Sequence, residues 1–121
     1  VSEHYNVDAK NLHGYGFSDG GLFLAVTGME FSNLWASITV VGYGWGGQYI
    51  VQPSRKLPVQ FVCGSNDQFY GYATQSEGFL AGQGHDTVMK VGNGLGHDFI
   101  GLMNQYDPLS LVGWMGSHPM P

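Results

Sequence analysis

The chain has 121 residues, of which 43% are hydrophobic and only 11% charged, with a net charge of −5 and four Lys plus Arg in all. Phosphate binding needs clustered basic residues, so a nucleic-acid partner is excluded as an expectation, and an anionic membrane surface with it. The length suits one domain with a sizeable core. A single cysteine, Cys63, allows no intrachain disulfide and lies inside an apolar run, where a buried, inert thiol is expected.

In chain order, Val1 to Lys10 reads as a polar lead-in with no legible leader peptide. Asn11 to Phe17 is a short strand candidate ending at Ser-Asp-Gly-Gly. Gly21 to Met29 has helical length, weakened by Gly28. Leu34 to Tyr43 is rich in β-branched and apolar residues and predicts a strand. A glycine-rich loop follows over Gly44 to Arg55. Val59 to Cys63 predicts a second strong strand, Ala73 to Leu80 a modest helix and Thr87 to Val91 a further strand. His97 to Tyr106 predicts a closing helix limited by Pro108, and residues 113–121 read as a loose tail. This alternation defines α/β, with a mostly parallel sheet of about four strands and flanking helices. No apolar run approaches the ~18 residues of a membrane span.

Gly16-Phe17-Ser18-Asp19-Gly20 fits Gly-x-Ser-x-Gly. The pattern suits a strand that reverses sharply into a helix and leaves the serine exposed at the turn; side chains two residues either side of it would collide there. The bare motif is weak, since a glycine-rich chain of this length yields about 0.24 chance matches. Its position between a strand and a helix is what adds weight. The following helix would aim its N-terminus at the site, and the Asp19 backbone N–H becomes a candidate oxyanion donor.

A serine nucleophile needs a base, and the base needs an orienting acid. In a parallel α/β sheet, functional groups gather at the carboxyl ends of the strands. Asp67 comes four residues after Cys63, and His97 six residues after Val91. His85 occupies an equivalent Gly-His-Asp tripeptide, but it precedes its strand and so belongs at the opposite end. His4, His13 and His118 have no such placement and read as surface or packing residues. A metal site is not expected, because no helical i, i+4 histidine pair occurs. Phe17, Tyr43, Trp45, Phe69, Tyr70 and Tyr72 are candidates for an aromatic substrate lining; ordinary packing is their alternative.

Four stretches carry a family resemblance. "VDAKNLHGYGFSDGG" resembles the region around the nucleophile in the α/β-hydrolase superfamily, with polyhydroxybutyrate-depolymerase and feruloyl-esterase-like secreted hydrolases as the nearest group. "FSNLWASITVVGYG" is similar to the helix-to-strand segment after the elbow, "LPVQFVCGSNDQFYGY" to the strand and acid loop, and "VMKVGNGLGHDF" to the last strand and histidine loop. The resemblance implies Ser18 as nucleophile, His97 as base, Asp67 as acid, ester hydrolysis through an acyl-enzyme, no cofactor, and secretion. It also implies an N-terminal half, absent from this sequence, holding about four more strands and the second oxyanion donor. The first strand would then be an exposed edge, and a second chain or self-association through Asn11–Tyr15 is the expected partner. Two other functions stay open: a non-catalytic, self-assembling protein on a truncated hydrolase fold, and a polysaccharide-binding module using loop aromatics such as Trp45.

Overall fold

The computed structural model describes residues 9–121, so the polar lead-in over residues 1–8, His4 included, lies outside the described residues. Four strands form one sheet: β1 (His13–Phe17), β2 (Ser37–Val41), β3 (Val59–Gly64) and β4 (Thr87–Gly92). They stand in the order β1-β2-β3-β4, and every pairing is parallel. Four helices accompany them: α1 (Asp19–Glu30), α2 (Tyr70–Gly82), α3 (Phe99–Gln105) and α4 (Pro108–Gly116).

The central strands β2 and β3 are buried at every residue, as a sheet covered on both faces requires. On one face, Leu24 and Met29 of α1 and Ala73 and Leu80 of α2 pack against Ile38, Val40, Val59 and Phe61. On the other, Leu102 of α3 and Leu111 of α4 pack against Val41 and Val62. Gly28, which weakens α1 intrinsically, has a packing reason. A Cβ there would stand 3.0 Å from two carbons of Ile38, so glycine lets the helix settle onto β2. Gly14 does the same beneath Leu24, whose Cδ2 would lie 2.6 Å from an added Cβ.

Three sequence expectations are corrected. The loose tail begins later, because α4 occupies Pro108–Gly116. Pro108 opens that helix instead of only closing the previous one, with Asp107 as N-cap accepting from the Leu109 N–H. Beyond α4, His118 Nε2–H donates to Asp86 Oδ2 (2.8 Å), the ring stacks on Trp114, and the Met120 N–H donates to the Lys10 carbonyl. The Leu34–Tyr43 strand shortens to Ser37–Val41, because the Leu34 N–H turns back to the Phe31 carbonyl. The first strand starts at His13, since Ala9–Asn11 is a 3-10 turn.

β1 is an edge strand among the described residues. Leu12 accepts from Ala36 and Ser18 donates to Val41, so by alternation the backbone groups of His13, Tyr15 and Phe17 point away from β2. Beside that edge, Tyr15, Phe99, Met103, Pro108, Leu111, Val112 and Met115 line an apolar groove of about 400 Å³.

Candidate active site

β1 ends at Phe17 and α1 begins at Asp19, leaving Ser18 alone to make the reversal. Ser18 is the sole non-glycine described residue with positive φ, at φ 57° and ψ −112°. Such a backbone costs about 1–3 kcal/mol and persists only where its surroundings hold it. The Ser18 N–H is held by the Val41 carbonyl at 2.8 Å, and its carbonyl accepts from Leu22. A Cβ on Gly16 would overlap the backbone of Gly20, so glycine is obligatory at 16. The expectation for Gly20 is corrected: a Cβ there meets nothing within 4 Å. The second tight glycine is Gly21, where a Cβ would stand 2.9 Å from Tyr43 Cβ.

The acid loop leaves β3 and the histidine loop leaves β4, at the same end of the sheet as the serine turn. They are laced together. Ser65 N–H donates to Gly92 and Asn66 N–H to Leu95; the Asn66 side chain donates to the Gly94 carbonyl, and the Gly94 N–H to Ser65 Oγ. Gly64 makes the approach possible, because a Cβ there would overlap the carbonyls of Leu95 and Gly96. Neither Ser65 nor Asn66 stands out in the sequence alone. The polar triplet Ser65-Asn66-Asp67 between two glycines, Gly64 and Gly71, is the available signal.

This lacing sets the distances. The Asp67 carboxylate is fully enclosed, with a side-chain exposure of 0% against 34% for His97. Its Oδ1 accepts from the Phe69 N–H at 2.9 Å, and Oδ2 lies 2.7 Å from His97 Nδ1. His97 Nε2 lies 2.9 Å from Ser18 Oγ. The tautomer that satisfies both partners carries its proton on Nδ1, donates it to Asp67, and accepts the serine O–H at Nε2. The three side chains selected from the sequence are therefore brought into one hydrogen-bonded line. The amides of Asp19, Gly20 and Gly21 precede the first intrahelical bond of α1, and Ser18 makes no side-chain cap to them. Their partial positive charge is available beside Ser18 Oγ.

His85 sits at the amino end of the sheet. It is 5% exposed, with Nδ1 2.7 Å from the Leu57 carbonyl and Nε2 2.8 Å from the Tyr49 hydroxyl. Burial holds its pKa below the ordinary value; the Leu57 carbonyl opposes that shift, while Lys56 and Arg55 add to it. His13 bonds Ser37, and its pKa is lowered by burial. Cys63, at the end of β3, is enclosed. Burial and then the Asp67 carboxylate push its thiol up to about 12. Among the described residues no group of three or more His, Cys, Asp or Glu could hold a metal ion.

The aromatic candidates divide. Phe17 stacks on His97 (ring centroids 4.8 Å apart), and Phe69 flanks it at 5.8 Å. Tyr43 reaches the site through Phe69, at 5.1 Å. Trp45 turns inward onto Phe61 at 5.5 Å, and Tyr70 packs with it against the core. Tyr72 is exposed.

The arrangement is that of an α/β-hydrolase fold, in part. Comparison with solved structures supports the same fold. A thermostable esterase superposes with a TM-score of 0.81 at 16% identity, over 98% of this chain and 34% of that one. Arabidopsis thaliana SOBER1 superposes at 0.72 with 18% identity, over 97% of this chain and 57% of that one. A provisionally named dipeptidyl aminopeptidase IV from Bacteroides ovatus superposes at 0.74 with 9% identity, over 93% and 20%. This chain thus spans between a fifth and three fifths of the length of these structures. No protein-family model and no curated protein matches the sequence.

Proposed function

We propose that the chain is the triad-bearing part of a serine carboxylic-ester hydrolase. The observation that carries this reading is the continuous line Asp67–His97–Ser18, at 2.7 and 2.9 Å, placed at the N-terminus of α1. Ser18 Oγ attacks the ester carbonyl while His97 Nε2 takes its proton. Asp67 holds the imidazole in the required tautomer and stabilises the imidazolium. The Asp19 N–H donates to the tetrahedral oxyanion. His97 passes the proton to the departing alkoxide, leaving an acyl group on Ser18. Water, deprotonated by His97, then releases the acid. Every proton in this cycle is carried by protein groups and water, so the reaction as written needs no cofactor.

Supporting the ester assignment, one of these three neighbours is named an esterase and superposes over 98% of this chain, and the narrower polyester or feruloyl-type substrate follows only from the sequence resemblance. A second oxyanion donor would come from a segment or second chain laid on the free edge of β1, in keeping with the donor pattern of this fold. Fluorophosphonate labelling with intact-mass analysis tests the reading. One adduct on Ser18, absent in Ser18→Ala, is expected. A native sample with no adduct overturns it. Filaments or large oligomers formed by such an unlabelled sample would favour instead a self-assembling protein, the reading to which the outward-facing backbone of β1 lends support.

A further inference from the structure

We propose that Phe17, one of the aromatic residues expected to line the substrate, is a positioning residue for His97. Its ring is the surface that keeps the imidazole between Ser18 and Asp67. The inference rests on the hydrolase reading for its catalytic meaning, but its geometry stands separately.

Two hydrogen bonds hold the imidazole by its edge, one at each nitrogen. They fix where the nitrogens point but restrain the tilt of the ring plane only weakly, because that tilt turns about the line joining them. His97 lies in the loop between β4 and α3, and a third of its side chain is open to solvent. A flat partner against the ring face supplies the missing restraint. Phe17 provides it: the two planes are 28° apart with centroids at 4.8 Å. Phe69 adds a tilted contact at 48°.

The Phe17 ring is itself fixed. It belongs to β1, packs against the cluster of Val41, Val62, Leu102 and Leu111, and meets Phe99 at 5.2 Å. Gly42 clears its place. At φ 64° this residue is in the left-handed region, and a Cβ there would stand 2.8 Å from Phe17 Cε2 and 3.2 Å from His97 Cε1. The Gly42 N–H is tied to the Val62 carbonyl, so the clearance is part of the sheet end. Phe17 also immediately precedes Ser18. One turn therefore carries both the hydroxyl and the face that aligns its proton acceptor. When His97 becomes cationic, that π-face favours the charge. The charged group facing the imidazole is the Asp67 carboxylate; Asp98 instead turns its carboxylate to the Gly101 N–H.

The test compares Phe17→Leu and Phe17→Tyr with the native protein by three readouts: kcat and KM on a nitrophenyl acetate, the rate of fluorophosphonate labelling, and the low-field proton NMR signal of His97 Nδ1–H. Phe17→Leu is expected to lower kcat and the labelling rate by about tenfold, leave KM within about twofold, and broaden the low-field proton. Phe17→Tyr, which keeps the flat face, is expected to restore all three. Phe17→Met, similar in bulk but without the flat face, repeats the comparison should the leucine variant fold poorly. A raised KM with unchanged kcat would make Phe17 a substrate wall and overturn the proposal. So would a low-field proton that survives unaltered in Phe17→Leu. If the native protein neither turns over nor labels, the hydrolase reading fails, and the proton signal alone still decides whether Phe17 positions His97.

Discussion

Gly-His-Asp occurs twice in this chain, at 84–86 and 96–98, and the two histidines have opposite fates. His85 lies ahead of β4, buried, with both ring nitrogens engaged by Leu57 and Tyr49. His97 lies behind β4, partly open, reaching from a carboxylate to a hydroxyl. The tripeptide is the same, so it does not determine the role. Strand direction does. At the amino end of a parallel sheet the chain arrives from a helix and is packed down. At the carboxyl end it leaves in a loop, and loops from several strands meet.

Substitutions at the two ends should therefore read out differently. At the carboxyl end, Ser18→Ala should remove turnover by about 10⁴-fold or more with the fold retained, seen as lost labelling with an unchanged melting curve. Asp67→Asn should cost about 10³- to 10⁴-fold in kcat, since the amide favours the wrong imidazole tautomer. Equal losses from His85→Gln would erase the distinction between the two histidines.

The elbow glycines offer a second contrast. Gly16→Ala forces a methyl into the Gly20 backbone and should destabilise by about 3 kcal/mol in urea unfolding. Gly20→Ala meets open space and should stay within about 1 kcal/mol of the native protein. His85→Gln should cost about 1–3 kcal/mol of stability while Ser18 still labels.

His85 should also leave a mark on the pH dependence of stability. Its folded pKa lies below 6.5, its ordinary value, so over the intervening range the unfolded chain binds a proton that the folded chain does not. Its contribution is complete above 6.5 and is lost as the pH falls from there toward the folded value. His13 is shifted in the same direction. Melting temperatures between pH 8 and 5 should fall on acidification, and fall less steeply in His85→Gln. The smallest effect concerns Cys63. With its thiol pushed up to about 12 and enclosed, it should ignore Ellman's reagent at pH 8 until the protein is denatured.

Much of this site was legible because it depends on chain order and strand direction. Val59–Cys63 and Thr87–Val91 are strong strand patterns, and counting onward from them reaches Asp67 and His97. The helix α4 is not legible in the sequence when Pro108 is read as a terminator. Asp107 before it made an N-cap and N1 pair, which reads equally well as a start. The aromatic residues were beyond reach for another reason. Whether Phe17 faces substrate or His97, and whether Trp45 faces the site or Phe61, is decided by side-chain packing across loops far apart in sequence. The free space at Gly20 and the crowding at Gly64 are also tertiary facts, invisible in a motif.

The lacing between the acid and histidine loops divides the site mechanically. Asp67 and His97 are thirty residues apart, yet Ser65 and Asn66 bind their supports into one unit across β3 and β4. Ser18 belongs to a different body, the end of a strand paired on one side only among the described residues. Thermal motion that frays β1 carries the Ser18 hydroxyl and the Phe17 face away together, while the laced loops that hold Asp67 and His97 stay joined. On gradual heating, the serine should lose its reactivity below the temperature at which the sheet melts, and cooling should return it.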